Sequence, residues 1–324
     1  MLPNDKEAIT AVSAASVCAI IVTYRPDLSA LERLISAVSN QVSATVIIDN
    51  GSPEDCVDWI KSHQQENIIF LPLVKNVGVA EAHNHAIRWA HDKGFTHVIL
   101  FDQDSLPSSG MIEQLLTGES QLLRRGELVA AVGPQCRDPR FPRAASFARF
   151  SGLKLVRIYC ENEKSGFCEA DSLISSGMLI RMAVLDTVGL MDAALFIDYV
   201  DTEWCFRAKQ MGYRCFGVCA AEMNHTIGDR IIPWRNGKRI IPVHSPLRNY
   251  YLIRNAILLY KRSYIPLIWI GRDTWRLLLR YGFFSLLISP RFLNFRMMTI
   301  GLWHGIIGVS GEFSGDWQPR KSEI

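Results

Sequence analysis

Asp102 and Asp104 stand one residue apart, straight after the apolar run Val98-Ile99-Leu100-Phe101. Two carboxylates at this spacing form a hard, all-oxygen site. Such a site suits Mg2+ or Mn2+, which keep a few protein ligands and take the rest from phosphate and water. That chemistry points to a bound diphosphate. Asp-X-Asp also occurs by chance, and a solvated turn is the alternative reading of this feature alone. Further along, Asp198, Asp201 and Glu203 crowd the stretch Phe196–Arg207, and His225 follows another apolar run, Arg214–Ala220. Taken alone, such a histidine is more often a satisfied structural residue.

The elements that must position these groups are legible from periodicity. Apolar runs at Val17–Thr23, Ala44–Ile48, Ile68–Leu73 and Thr96–Phe101 read as strands. Helical spacing separates them: Leu28, Leu31, Leu34, Ile35 and Val38 share one face, Cys56–Ser62 makes a short helix, and Val79, Ala82, Ala86 and Ala90 face inward on a third. The β-α-β-α-β-α-β order predicts a parallel sheet with right-handed crossovers. In such sheets ligands bind off the carboxyl ends of the strands, where Asp49, Asp102 and Asp104 all lie. A helix over Met111–Leu123, strands at Leu128–Val132 and Arg214–Ala220, a linker at Pro242–Pro246 and a helix at Leu247–Tyr260 complete the reading. The segment Arg137–Arg149 is basic, contains proline and reads as irregular.

The chain has 324 residues, 48% of them hydrophobic, which is enough for one large domain plus an appendage. The net charge of +3 makes no case for nucleic acid. The charge is uneven, however: between Arg230 and Arg296 the only acid is Asp273, among many lysines and arginines. This end reads as a surface for anionic lipid or phosphate, or as a basic solvated face. The eight cysteines contain no Cys-X-X-Cys pair and several lie in apolar runs, so they are expected to be reduced and buried, as in a cytoplasmic protein. The first sixteen residues lack a basic or apolar leader pattern. No uncharged apolar run reaches the roughly 18–20 residues of a spanning helix. Three shorter pieces, Tyr264–Gly271, Tyr281–Pro290 and Met297–Gly311, carry Arg and Trp among them and suit helices lying in a membrane interface. An ordinary packed helical subdomain is the alternative.

Taken in order, Ile20–Pro26, Ile48–Ser52, Asn76–Ala80, Phe101–Ser105 and Phe196–Arg207 resemble the inverting glycosyltransferases of family 2. Asp-Gln-Asp-Ser, Phe-Ile-Asp-Tyr-Val-Asp-Thr-Glu-Trp and Arg-Asn-Tyr-Tyr-Leu-Ile-Arg-Asn (248–255) are similar to the bacterial rhamnosyltransferase branch. The resemblance covers roughly residues 17–260. It implies an α/β GT-A fold, with a mostly parallel sheet flanked by helices and a C-terminal helical appendage. The corresponding division is a nucleotide-sugar and catalytic domain over 1–245 and an amphipathic helical region over 246–324, in contact with membrane or an oligomer partner.

The resemblance also implies roles, position by position. Thr23, Tyr24, Arg25, Asp49, Asn76, Gly78, Asp102 and Gln103 would bind the nucleotide, with Asp49 accepting from a pyrimidine imide N–H. A turn Asp that stabilises Asn50-Gly51 is the alternative for Asp49. Asp102, Asp104 and His225 would hold Mg2+ or Mn2+. Asp201 aligns with the general base. Val200 replaces the acid usual before it, so Asp198 and Glu203 compete for that role, and helix capping is a further reading of Asp201. Ser176, Gly177 and Arg207 would contact diphosphate or acceptor. His83, His85, His91 and His97 read as surface or packing residues rather than ligands.

The expected reaction is a single in-line displacement with inversion. It would move a sugar, best matched by L-rhamnose from dTDP-rhamnose, to a glycan or polyprenol-linked acceptor at the cytoplasmic face of the inner membrane. A sugar nucleotidyltransferase would carry a Gly-rich loop after strand one, where this chain has Tyr24-Arg25-Pro26-Asp27. A non-catalytic membrane-associated module would have no use for the full set of acids.

Overall fold

The computed structural model describes residues 16–138, 144–151, 154–225, 230–234 and 239–315. The N-terminal stretch up to residue 15 and residues 139–143 of the basic segment lie outside the described residues. The chain divides into two compact units: one is built from residues up to 193 and from 201–226, the other from 194–200 and 227 onward.

The first unit is an α/β layer structure. β1 (Val17–Thr23) and β2 (Ala44–Asp49) are buried at every position, as strands covered on both faces must be. β3 (Ile68–Pro72) lies at the edge, and β4 (His97–Asp102) ends in the first acid of the Asp-X-Asp pair. The helix α1 (Leu28–Ser39) starts where the Asp27 carboxylate accepts from Ser29 N and Ala30 N. It then buries Leu31, Leu34, Ile35 and Val38, one face at i, i+3, i+4 and i+7. α2 (Glu54–Ser62) is short. α3 (Val79–Asp92) buries Ala80, Ala82, Ala86 and Ala90, small residues that let it lie close to the sheet.

β5 (Ser105–Pro107), α4 (Met111–Arg124), β6 (Val129–Arg137), β7 (Phe147–Ser151), β8 (Lys154–Ile158), β9 (Phe167–Ala170), β10 (Leu179–Arg181), α5 (Met182–Val188), α6 (Val200–Gln210) and β11 (Arg214–His225) follow. The sheet order is β3-β2-β1-β4-β10-β6-β11-β5, with β9 also pairing β11. It is parallel through β3-β2-β1-β4 and mixed beyond, because β10 runs antiparallel to both β4 and β6. β11 extends five residues past the expected apolar run. A register shift between Val218 and Glu222 marks a bulge that bends it on toward β5. The core between sheet and helices includes Ile21, Leu34, Phe70, Phe101, Leu115 and Phe216. Truncating one such side chain to Ala typically costs about 2–5 kcal/mol.

The expectation of eight reduced cysteines is corrected. Cys160 and Cys219 form a disulfide, while Cys18, Cys56, Cys136, Cys168, Cys205 and Cys215 are free. The β9–β11 pairing sets Cys168 opposite Gly217, and Cys219 N donates to Gly166 O (3.0 Å). That register draws the turn carrying Cys160 over β11, a long-range meeting that no local cysteine spacing encodes.

The second unit pairs β12 (Arg230–Trp234) with β13 (Arg239–Val243) as an antiparallel ribbon, where the sequence suggested only a linker after Pro242. Three helices follow: α7 (Pro246–Tyr260), α8 (Leu267–Leu286) and α9 (Arg291–Ile307). Ser245 caps α7, its Oγ accepting from Arg248 N (3.3 Å), with Pro246 in the first turn. α7 and α9 cross closely because Gly301 faces the Tyr250 carbonyl, where an added Cβ would sit 2.5 Å from the oxygen. Among the described residues, no helix is long and apolar enough to cross a membrane.

Segment 194–200 belongs to this unit and is tied down by the Arg-Asn pair at the end of the 248–255 motif. Arg254 Nη2 donates to Leu195 O (3.0 Å), and Asn255 Nδ2 donates to Leu195 O (2.8 Å) and Ile197 O (2.6 Å). These contacts hold Phe196, Asp198 and Tyr199 at φ of 66°, 63° and 63°, a left-handed geometry that is costly for non-glycine residues.

Candidate active site

The loops that follow β1, β2 and β3 interlock. Thr23 Oγ1 donates to Asp49 Oδ1 (3.0 Å), and Asp49 Oδ2 accepts from Gly51 N (3.2 Å) and Ser52 N (2.8 Å). Ser52 Oγ accepts from Arg25 N (2.8 Å), and Asn50 Oδ1 from Val77 N (2.8 Å). Gly51 has φ +84°, and a Cβ there would come within 2.7 Å of the Asn76 backbone, so the turn needs glycine twice over. Asn76 Oδ1 accepts from Gly78 N (2.9 Å), which places Gly78 at the start of α3. Asp49 is fully buried. Its three hydrogen bonds leave about one acceptor position of the roughly four a carboxylate offers. The turn-stabilising reading of Asp49 is therefore realised in the structure.

The loop after β4 is anchored from two sides. Gln103 clamps the backbone of Tyr24, its Oε1 accepting from Tyr24 N (2.8 Å) and its Nε2 donating to Tyr24 O (3.3 Å). On the other side Ser176 is fully buried; its Oγ accepts from Asp102 N (3.2 Å) and hydrogen-bonds to the Ser105 hydroxyl. Gly177 N donates to Leu100 O (2.7 Å), and its φ of +81° allows the turn. Ser176 and Gly177 thus hold the end of β4 in place, and their own polar groups point into the protein.

Asp102, Asp104 and His225 converge, with one ligand atom from each lying within 4.8 Å of the others. His225 Nδ1 is 3.9 Å from Asp104 Oδ1 and 3.2 Å from Ser105 Oγ. Two carboxylates and one imidazole fit a hard or borderline divalent cation.

Asp201 opens the first turn of α6. Its Oδ2 accepts from Ser175 N (3.2 Å) and its Oδ1 from Thr202 N (2.7 Å). Burial, seconded by the charge of Asp102, raises its pKa from 3.8 to about 6, against the pull of those two N–H donors. The result is a carboxylate that is ionised yet basic near neutral pH, as a general base requires. The consecutive residues Ser175 and Ser176 therefore hold Asp201 and Asp102 respectively.

The competing acids have other partners. Glu203 is fully buried and paired with Arg207 (Nε–Oε1 2.9 Å, Nη2–Oε2 3.0 Å). Arg207 also donates to Val188 O (2.5 Å) and Leu190 O (2.7 Å), so its guanidinium is held by partners inside the first unit. Asp198 lies in the second unit and is paired with Arg248 (Nη2–Oδ1 3.2 Å). His85 and His91 sit at the surface beside Glu81 and Asp186; His97 bonds Glu119 (2.9 Å), and His83 is buried.

Sequence reasoning missed Asn50, Ser52, Ser105 and Ser175. Asn50 and Ser52 lie in a legible turn, but their partners on other loops are remote in sequence. Ser105 and Ser175 gain their roles only through strand register.

Comparison with known proteins agrees with this architecture. The sequence profile described as Glycosyl transferase family 2 matches residues 18–188. The chain is 33% identical over 256 residues to the dTDP-rhamnosyl transferase RfbF of Shigella flexneri, covering 78% of this chain and 83% of that protein. It is 22% identical over 242 residues to the low-salt glycan biosynthesis hexosyltransferase Agl10 of Haloferax volcanii, covering 74% and 75%. Among solved structures, S. aureus TarS residues 1–349 in complex with UDP-GlcNAc is similar in fold, with a TM-score of 0.54 at 14% identity, over 91% of this chain and 81% of that one. GalNAc-T7 with UDP, GalNAc and Mn2+ also scores 0.54 at 14% identity, over 81% of this chain and 54% of the longer partner. With the profile spanning more than half of the chain and the Shigella relative matching most of its length, the chain belongs to glycosyltransferase family 2.

Proposed function

We propose that this glycosyltransferase moves L-rhamnose from dTDP-rhamnose to a hydroxyl of a glycan or lipid-linked glycan acceptor, with inversion at the anomeric carbon. The observation that carries the mechanism is Asp201, a carboxylate whose basicity is raised beside Asp102. Asp201 takes the proton from the acceptor hydroxyl. The oxygen attacks the anomeric carbon opposite the leaving nucleoside diphosphate, and the C–O bond to the diphosphate breaks as the new glycosidic bond forms. Asp102, Asp104 and His225 would hold Mg2+ or Mn2+, which supplies positive charge to offset that developing on the diphosphate. Thr23, Tyr24, Arg25, Asn76, Gly78 and Gln103 would shape the nucleotide side of the site, and the remaining acceptor position of Asp49 would take the imide N–H of the base. The rhamnosyl donor is supported by the identity to the Shigella dTDP-rhamnosyl transferase. A panel of dTDP- and UDP-sugars with Mn2+ and a synthetic acceptor tests the donor. Transfer from dTDP-rhamnose with inverted product stereochemistry is expected; turnover of another nucleotide sugar alone would overturn the donor assignment.

We further infer that the C-terminal helices place the enzyme on the cytoplasmic leaflet of the inner membrane. Leu267, Trp275, Leu278 and Leu286 of α8 recur at helical spacing and are exposed, as are Phe292, Phe295, Leu302 and Trp303 of α9. The exposed Arg272, Arg291 and Arg296 stand among them. Apolar area of this extent is unusual on a monomer, and its basic rim suits anionic headgroups.

A further inference from the structure

The C-terminal unit carries more guanidinium than carboxylate to meet it. Arg248 pairs with Asp198 through both carboxylate oxygens (Nε 3.2 and 3.4 Å). Arg276 pairs with Asp273 (Nε 3.0 Å, Nη2 2.6 Å), and that carboxylate also accepts from Tyr199 OH (2.8 Å) and Tyr260 OH (2.9 Å). Arg280 has no salt bridge of its own among the described residues, although the charge of Asp198, the partner of Arg248, also acts on it. Its Nε donates to Asn249 Oδ1 (2.9 Å), its plane lies 4.4 Å from the Phe284 ring centroid, and its Nη2 is buried with no hydrogen-bond partner. His244 Nδ1 is likewise buried and unpartnered. Burial, and after it the charges of Arg248, Arg280 and Arg276, hold His244 well below its ordinary range, at about 3. Burial and Arg276 similarly lower Arg280 to about 10.

A buried guanidinium nitrogen and a buried imidazole nitrogen, both without partners among the described residues and set among three arginines, make a site suited to an anion. The start of α7 reinforces it. The first turn of this 15-residue helix carries no acid and bears Arg248, and the positive end of the helix dipole adds to the field there. We propose that His244, Arg248 and Arg280 bind a phosphate-bearing anion, a phosphate or diphosphate group. Phosphate is favoured over carboxylate because its several oxygens can meet donors from α7, α8 and the His244 turn together, and guanidinium matches it bidentately. Two sources carry this chemistry, the diphosphate of the sugar donor and the phosphate of a lipid-linked acceptor. Only the choice of sources rests on the glycosyl-transfer reading; the anion site itself does not.

The test is isothermal titration of the full-length protein with inorganic pyrophosphate in EDTA at fixed ionic strength. The wild type and Asp104→Ala should both bind, since the metal-site acids take no part. Arg280→Gln should bind at least 10-fold more weakly, and His244→Ala should also weaken binding, each with unchanged circular dichroism. If Arg280→Gln fails to fold, Arg280→Lys, which keeps the charge but not the bidentate fork, should weaken binding severalfold. Two further arms assign the source. A 10-fold loss in Arg280→Gln for dTDP with Mn2+ identifies the donor, and the same loss for a short prenyl diphosphate in EDTA identifies the acceptor. Wild-type protein that binds pyrophosphate no better than chloride, or folded variants that bind like wild type, would overturn the proposal. Sugar transfer by protein that ignores pyrophosphate overturns this site alone, and pyrophosphate binding by protein that transfers no sugar overturns only the proposed function.

Discussion

His225 stands directly opposite Ser105 in the antiparallel pairing of β11 with β5, and its Nδ1 lies 3.2 Å from the Ser105 hydroxyl. The residue just before Ser105 is Asp104, so backbone register brings the imidazole to the acidic pair. The bulge after Val218 is part of the same arrangement, since it carries β11 on to β5.

Metal dependence should therefore fail gradually along this ladder. Asp104→Ala, at a half-exposed position outside the core, should leave the fold intact, abolish the Mn2+-dependent thermal shift with nucleoside diphosphate and lower kcat by orders of magnitude. Ser105→Ala should raise the Mn2+ concentration for half-maximal activity severalfold, because its hydroxyl positions His225 and Ser176 without being a ligand itself. Titration of activity against Mn2+ checks both. Normal turnover of Asp104→Ala in Mg2+ would remove it from the site.

Asp201 makes a pH prediction in two parts. As a base it must be ionised, so kcat should fall with unit slope below about pH 6. Its folded pKa is raised above the ordinary 3.8, so its protonated form favours the fold: that contribution is present below about 3.8 and lost as pH rises through about 6. Asp201→Asn should accordingly be more stable than wild type at pH 7, with the difference vanishing below pH 4. Thermal melts at the two pH values measure it.

Arg207 should behave as a structural residue. It and fully buried Glu203 form an ion pair backed by two carbonyls. Removing one partner leaves an uncompensated buried charge, at a cost of roughly 3–5 kcal/mol. Urea denaturation of Arg207→Ala should show that loss. A stable variant with a raised KM for the donor would instead put Arg207 on the diphosphate.

Membrane contact is tested by flotation with liposomes. Full-length protein should float with anionic vesicles, less so at high salt, and the paired change Trp275→Ser with Phe292→Ser should reduce flotation. Both apolar burial and headgroup charge contribute, so salt should weaken binding without ending it. Protein that ignores anionic liposomes at low salt but self-associates would make this face an oligomer contact.

What was legible in the sequence was what short-range pattern encodes. The four parallel strands, the acids at their ends and the face of α1 follow from periodicity. Position 201 could be singled out only by resemblance, and its separation from Asp198 and Glu203 needed the structure. All three acids lie within six residues, yet one is buried on Arg207, one pairs with Arg248 and one lies beside Asp102. Ser176 shows the same limit. The resemblance put it at the diphosphate or acceptor, and its partner Asp102 N, 74 residues away in sequence, is visible only in the structure. The Cys160–Cys219 bond and the β12–β13 ribbon are likewise products of long-range pairing.

The most direct test of the account is single-turnover transfer from dTDP-rhamnose by Asp201→Asn, measured beside donor binding in Mn2+. Near-normal donor affinity and a transfer rate lower by at least 1000-fold are expected, with Asp198→Asn and Glu203→Gln affecting stability before chemistry. Wild-type transfer by Asp201→Asn, with loss in Asp198→Asn or Glu203→Gln, would contradict it.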